Sequence, residues 1–256
     1  MKNLLVLAVA ITSFVQVNNG VASQNIIVSQ SKTINEKFVQ LQIEKNASIG
    51  RAIKTIVGHY PQQAGSIVGN ALDLYPEKYK EIIHSAISAQ PTLAQEVVTI
   101  ALSKGVASCT SIVETAINAD PSYIDFVVTA AALSRPEQLN EIVRIAVMTD
   151  PDSADYIVQS LAKQHPNSIV DILQSAIGAV PFVGEYVVEA LLAVFPNDAE
   201  KVITTAVRES IAQRENVKRI IETAQNSGVD EEKLEAYAIN GGVTAEEVSQ
   251  VLYNQK

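Results

Sequence analysis

Cut into blocks of fifteen from residue 61 to residue 210, the apolar positions of this chain fall into register ten times. The seventh place of each block holds Ile67, Ile82, Val97, Ile112, Val127, Ile142, Ile157, Ile172, Val187 and Val202. The eighth place is always Val, Ile or Leu, and the twelfth is Leu, Ile, Val or Ala. The eleventh is Ala in eight blocks and Leu in the other two, at Leu161 and Leu191. The fourth is mostly small or apolar, as at Ala64, Ile124, Leu139 and Ile169. Places 4, 7, 8, 11 and 12 share one face of an α-helix, whereas a strand would alternate by two.

The prolines say where each helix starts. They stand at 61, 76, 91, 121, 136, 151, 166, 181 and 196, all first places of the same lattice, and only the node at Val106 lacks one. In the first turn of a helix the missing N–H of proline costs nothing and its fixed φ suits entry. Inside a helix each would cost about 3 kcal/mol, which excludes one continuous coiled coil. Each block is therefore expected to form a short helix over places 2 to 13, about 17 Å long, followed by a tight turn. Such a helix is not stable alone in water. It needs neighbours that bury its stripe, and alanine at place 11 lets their backbones come close.

Short helices joined by tight turns run antiparallel, so the natural unit is a pair of thirty residues. Place 6 reads Phe126, Glu141, Tyr156, Asp171, Tyr186, Lys201, alternating aromatic with charged, which sets odd and even helices in different environments. The expected fold is all-α: an α-solenoid of short antiparallel helices with a 15-residue helix repeat, capped at both ends. Over roughly residues 46–210 the chain resembles the broad class of α-solenoid repeat proteins. The thirty-residue unit is shorter than a tetratricopeptide repeat, and that family's signature residues are missing. The resemblance implies an extended scaffold that binds partners along a face, and it transfers no functional residue.

The flanks differ from the lattice. Residues 46–60 keep the stripe at Ile49, Ala52, Ile53 and Ile56 without the proline and read as an N-terminal capping helix. Residues 24–45 form a polar arm rich in Gln, Asn and Ser, expected to be loose before a helix near Ile34 to Glu44. After Ser210 the prolines stop and charge rises. Val217, Ile220 and Ile221 mark one more helix. Asp230 and Thr244 read as N-caps, Thr244 with Glu247 as a capping box, and Asn240-Gly241-Gly242 as a helix stop. Residues 211–256 are expected to form a C-terminal helical cap, with a small docking module as the alternative. At the other end Lys2, the apolar run from Leu4 to Val15, and Val21-Ala22-Ser23 follow the order of a signal peptide, residues 1–23. Cleavage after Ser23 would leave roughly 233 residues for export to a periplasm or beyond.

Composition narrows the function. The net charge of −9 argues against nucleic acid and anionic membrane surfaces as partners. With Cys109 the only cysteine there is no internal disulfide, so packing must supply the stability. Cys109 sits at place 4 and reads as a buried, inert thiol. His59, His84 and His165 lack the spacing of helical metal ligands, and no Gly-x-Ser-x-Gly elbow, phosphate loop or Cys-x-x-Cys occurs. No cofactor, metal or enzymatic activity is expected. The acids, mostly at places 2, 5, 6 and 9, read as a solvated face.

Two features bear on binding. Phe126, Tyr156 and Tyr186 could form an exposed ribbon of aromatic anchors. A ladder in the inter-helix core is the expected placement, because the alternation also follows from pair packing alone. Residues 176–195 carry only Glu185 and Glu189 as charges. The lattice runs through them with Pro181 on its node, so they are not a membrane span. Val180, Phe182, Val183, Val194 and Phe195 are apolar where other blocks are often polar. They suggest either a contact patch or extra burial under the C-terminal cap. The expected function is an exported, non-enzymatic scaffold that binds a protein partner in envelope or surface-structure assembly. The alternative is a self-associating structural, matrix or cell-surface protein, linked through the arm at 24–45 by strand addition.

Overall fold

What ends each helix is the residue before proline. Proline's ring disfavours the helical conformation in its predecessor. At the nine place-15 residues φ runs from −124° to −159° and ψ from 57° to 100°, outside the helical region. At eight of the nine, all but Asp120, the amide still closes the helix behind it, as in Phe195 N–H to Leu191 O at 2.7 Å and His165 N–H to Leu161 O at 2.8 Å. Its carbonyl then opens the next turn: Ser168 N–H donates to His165 O at 2.9 Å and Asp198 N–H to Phe195 O at 3.0 Å. Each proline thus begins a one-turn 3-10 helix over places 1 to 3, and the α-helix follows over places 4 to 14. The α-helix lies later in the block than the expected places 2 to 13. A single pre-proline residue reverses the chain, so no separate loop is needed.

The computed structural model describes residues 34–253; the signal peptide expected at 1–23 and the arm up to residue 33 lie outside the described residues. The helices are α1 (Glu36–Lys45), α2 (Ile49–His59), α3 (Ala64–Leu74), α4 (Tyr79–Ala89), α5 (Ala94–Lys104), α6 (Cys109–Ala119), α7 (Ile124–Ser134) and α8 (Leu139–Thr149), then α9 (Ala154–Gln164), α10 (Ile169–Ala179), α11 (Gly184–Val194), α12 (Ala199–Glu209), α13 (Arg214–Asn226), α14 (Glu231–Asn240) and α15 (Ala245–Tyr253). No strand occurs among the described residues. At the node without proline, Gly105 ends α5 in the left-handed conformation, φ +63°, and the Ser108 hydroxyl accepts the Ser111 N–H at 3.3 Å to cap α6. A glycine C-cap and a serine N-cap do there what proline does elsewhere.

Each helix from α1 to α14 packs most extensively on a helix two places along the chain and less on its immediate neighbours. The fold is an all-α solenoid of two layers, α1, α3, α5 and onward in one and α2, α4, α6 and onward in the other. The core lies between them. Places 7, 8 and 11 have 0 % exposure in all ten blocks. Polar links within a layer join residues one repeat apart, as in Tyr79 hydroxyl to Ser111 hydroxyl at 2.8 Å and Gln164 Nε2 to Thr129 Oγ1 at 2.7 Å. The stack begins with α1, just before which the Ile34 N–H donates to Gln63 Oε1 of the 3-10 turn preceding α3 at 2.7 Å and the Ile34 carbonyl accepts from Asn70 of α3 at 3.1 Å. It ends with α13 on α11, α14 on α12 and α15 on α13. The C-terminal caps form where the sequence expects them. Asp230 accepts the Lys233 N–H at 3.2 Å, and Thr244 and Glu247 exchange bonds at 3.0 and 3.3 Å.

Two glycines with open space around them separate backbone strain from packing. Gly105→Ala, at positive φ, should cost about 1 kcal/mol, whereas Gly178→Ala, inside α10, should gain roughly 0.5 kcal/mol. Chemical denaturation of the two variants checks both signs.

Candidate functional site

Because chain direction alternates, the joints alternate between two rims. Joints following even-numbered helices, at residues 60, 90, 120, 150 and 180, share one rim, and those at 75, 105, 135, 165 and 195 share the other. This divides the apolar patch expected at Val180, Phe182, Val183, Val194 and Phe195. The first three residues lie at the start of α11 and the last two at its end, an eleven-residue helix apart, about 16 Å. Val183 is fully buried, and Val180 and Phe195 are half-buried against the core. Val194 is half-buried, and Phe182 alone is widely exposed, at 59 %. These five residues therefore form no continuous surface patch.

The aromatic ladder is placed the other way. Phe126 on α7, Tyr156 on α9 and Tyr186 on α11 are 45 %, 65 % and 52 % exposed. They stand on the outer face of the odd-numbered layer instead of in an inter-helix core. The reason is angular: at 100° per residue, place 6 points away from the stripe of places 4, 7, 8 and 11 in either layer. The thirty-residue alternation reports which layer a residue belongs to, and burial is decided by its place. Phe126 also lies against Tyr123, ring centroids 5.8 Å apart. Packed helices are about 8–10 Å apart, so the three rings repeat at roughly that interval.

Shallow furrows run between the helices of this layer. The one between α9 and α11, about 370 Å³, is lined by Asp155, Tyr156, Gln159, Tyr186, Glu189 and Ala190. A furrow of about 540 Å³ crosses α3 and α5, where small residues, Gly65, Ser66 and Gly69, stand in place of rings. The cleft of about 410 Å³ between α13 and α15 is spanned by the Arg214–Glu247 ion pair and belongs to the cap. Arg214 and the Thr244 N–H both favour the Glu247 carboxylate, with the backbone bond the larger cause, and hold its pKa below the usual value.

Each ring of the ladder follows an acid in sequence: Asp125-Phe126, Asp155-Tyr156 and Glu185-Tyr186. Reading all acids as a uniform solvated face overlooks this. The dipeptide recurs every thirty residues and is the signal that distinguishes these carboxylates. Glu185 hydrogen-bonds the Tyr186 hydroxyl and pushes its pKa up, with Glu185's own charge adding to the effect. It also meets Arg219 of α13 at 3.5 Å.

The other expected sites are dispersed. Cys109 is buried, and burial pushes its thiol pKa up. His59 and His84 are exposed on α2 and α4, and His165 is half-buried at a joint. Among the described residues no three His, Cys, Asp or Glu side chains form a metal-holding group. No helix among them is long and apolar enough to cross a membrane, and residues 176–195 are a helix end, a joint and a second helix. No protein-family model, curated protein or solved structure matches the chain.

Substitution separates the two phenylalanines of the divided patch. Phe182→Ala should change stability by no more than about 0.5 kcal/mol, while Phe195→Ala, which withdraws a half-buried ring, should cost roughly 2 kcal/mol. Thermal unfolding checks the difference. A pH titration of the assigned Tyr186 ring resonances by NMR should also find Tyr186 ionising above the ordinary tyrosine value, and Glu185→Gln should lower it.

Proposed function

We propose that this chain is an exported, non-enzymatic helical-repeat scaffold that holds a protein partner against the Phe126–Tyr156–Tyr186 face. The observation that carries the reading is the exposure of three aromatic side chains, one per repeat, on a layer whose inward positions are fully buried. Tyrosine is enriched among residues that dominate binding energy. A ring on a packed helix has already lost most of its freedom, so little ordering entropy remains to be lost on binding. No fold requirement explains the rings, since place 6 is Ser66 and Glu96 in α3 and α5 of the same layer. Export rests on the order of Lys2, the apolar run from Leu4 to Val15 and the small residues before Gln24. Envelope or surface-structure assembly is the setting in which such a scaffold would serve.

The test is affinity capture from envelope extract and culture medium, with the native chain beside a Phe126→Ser, Tyr156→Ser, Tyr186→Ser triple variant. The native chain should retain one polypeptide in fixed proportion. The variant should keep its helicity and melting point, because the rings are exposed, and lose the partner by about thirtyfold or more in affinity. Equal recovery by both forms overturns the reading. Recovery only of further copies of the chain itself supports the self-associating structural protein instead.

A further inference from the structure

The carboxylates around the ladder indicate what kind of segment fits it. Asp155 and Glu189 line the α9–α11 furrow beside Tyr156 and Tyr186, and Asp125 occupies the equivalent position before Phe126. Among the described residues these three acids have no ion-pair partner. Asp152 is near enough to act on Tyr186 through its charge. Two cations stand close by: Lys163 donates to the neutral amide of furrow-lining Gln159 at 2.9 Å, and Arg219 lies between Glu185 and Glu215 at 3.5 and 3.6 Å. Acids still outnumber cations here, so the face offers aromatic rings beside an excess of negative charge. A lysine or arginine side chain complements both, its methylenes and charge over a ring and its N–H groups toward a carboxylate.

We propose that this face takes an extended, lysine- or arginine-bearing segment of a protein partner, laid across α7, α9 and α11 with one cation per ring. The inference rests on the reading of this face as a protein-binding surface. Spacing selects the backbone form. The rings repeat at the separation of packed helices, about 8–10 Å. Three residues of polyproline II rise about 9 Å, so every third side chain reaches the next ring. A β-strand places same-side residues about 7 Å apart, short of one helix spacing, and the next pair at about 13 Å overshoots it.

Fluorescence anisotropy on the full chain tests this with three labelled peptides: a Lys-Pro-Pro repeat of four units, the same composition with lysines at irregular spacing, and a Glu-Pro-Pro repeat. The regular basic peptide should bind at least about tenfold more tightly than either of the others and weaken as salt is added. Tyr156→Ala should weaken it roughly three- to thirtyfold. Asp155→Asn with Glu189→Gln should weaken it comparably without altering the melting curve. Equal binding by the acidic peptide, or undiminished binding by the triple-serine variant, overturns the proposal. So does tight ring-dependent binding of a chito-oligosaccharide in place of the basic peptide. If the basic peptide fails while the triple-serine variant still loses its captured partner, the cationic segment is wrong and the scaffold reading stands. If the capture experiment fails as well, both fall.

Discussion

The residue before each proline governs this molecule. It cannot continue the helix behind it, and the proline after it is suited to begin another. Placing proline within a helix would cost about 3 kcal/mol each time, and the penalty recurs at nine nodes. The chain meets the constraint with one pivot residue whose amide completes one helix and whose carbonyl starts the next turn. Helix length, the reversal of direction and the division into two layers all follow from that pivot. Where the node lacks proline, Gly105 and Ser108 produce the same reversal by other means.

Helices of eleven residues have little stability of their own, so cohesion must come from neighbours. Places 7, 8 and 11 vanish completely from solvent in every block, and the alanines at place 11 hold the layers close. This is a sum of similar nearest-neighbour interfaces, as expected of repeat proteins. The ends of the stack are closed by helices with stronger local signals, notably the reciprocal Thr244–Glu247 box. The interior contact is so regular that the outer face of each layer is free to vary without disturbing it. That freedom admits side chains the fold itself does not require. Aromatic rings occupy the same outer place on three successive helices of one layer, with an acid before each. A repeat lattice converts one favourable pair of side chains into a spaced array, and an array reads an extended partner better than a single pocket does.

The stripe, the restart at each proline, the helix-pair unit and the caps at Asp230 and Thr244 are local matters of backbone preference and periodicity. They were therefore legible in the sequence. The exact span of the helix was less so, because the carbonyl before proline takes the place-3 N–H and tightens the first turn into a 3-10 helix. Exposure of Phe126, Tyr156 and Tyr186 could have been read from helical angle alone, but their thirty-residue alternation suggested an inter-helix contact. The tertiary structure decided which surface faces outward once two layers had formed. It also decided that Val180 and Phe195 lie on opposite rims. An excess of apolar residues in a stretch of sequence carries no information on rim, because an antiparallel helix carries its two ends apart. Periodicity determines what must be buried; only the packing of one layer on the other determines which of the remaining side chains share a face.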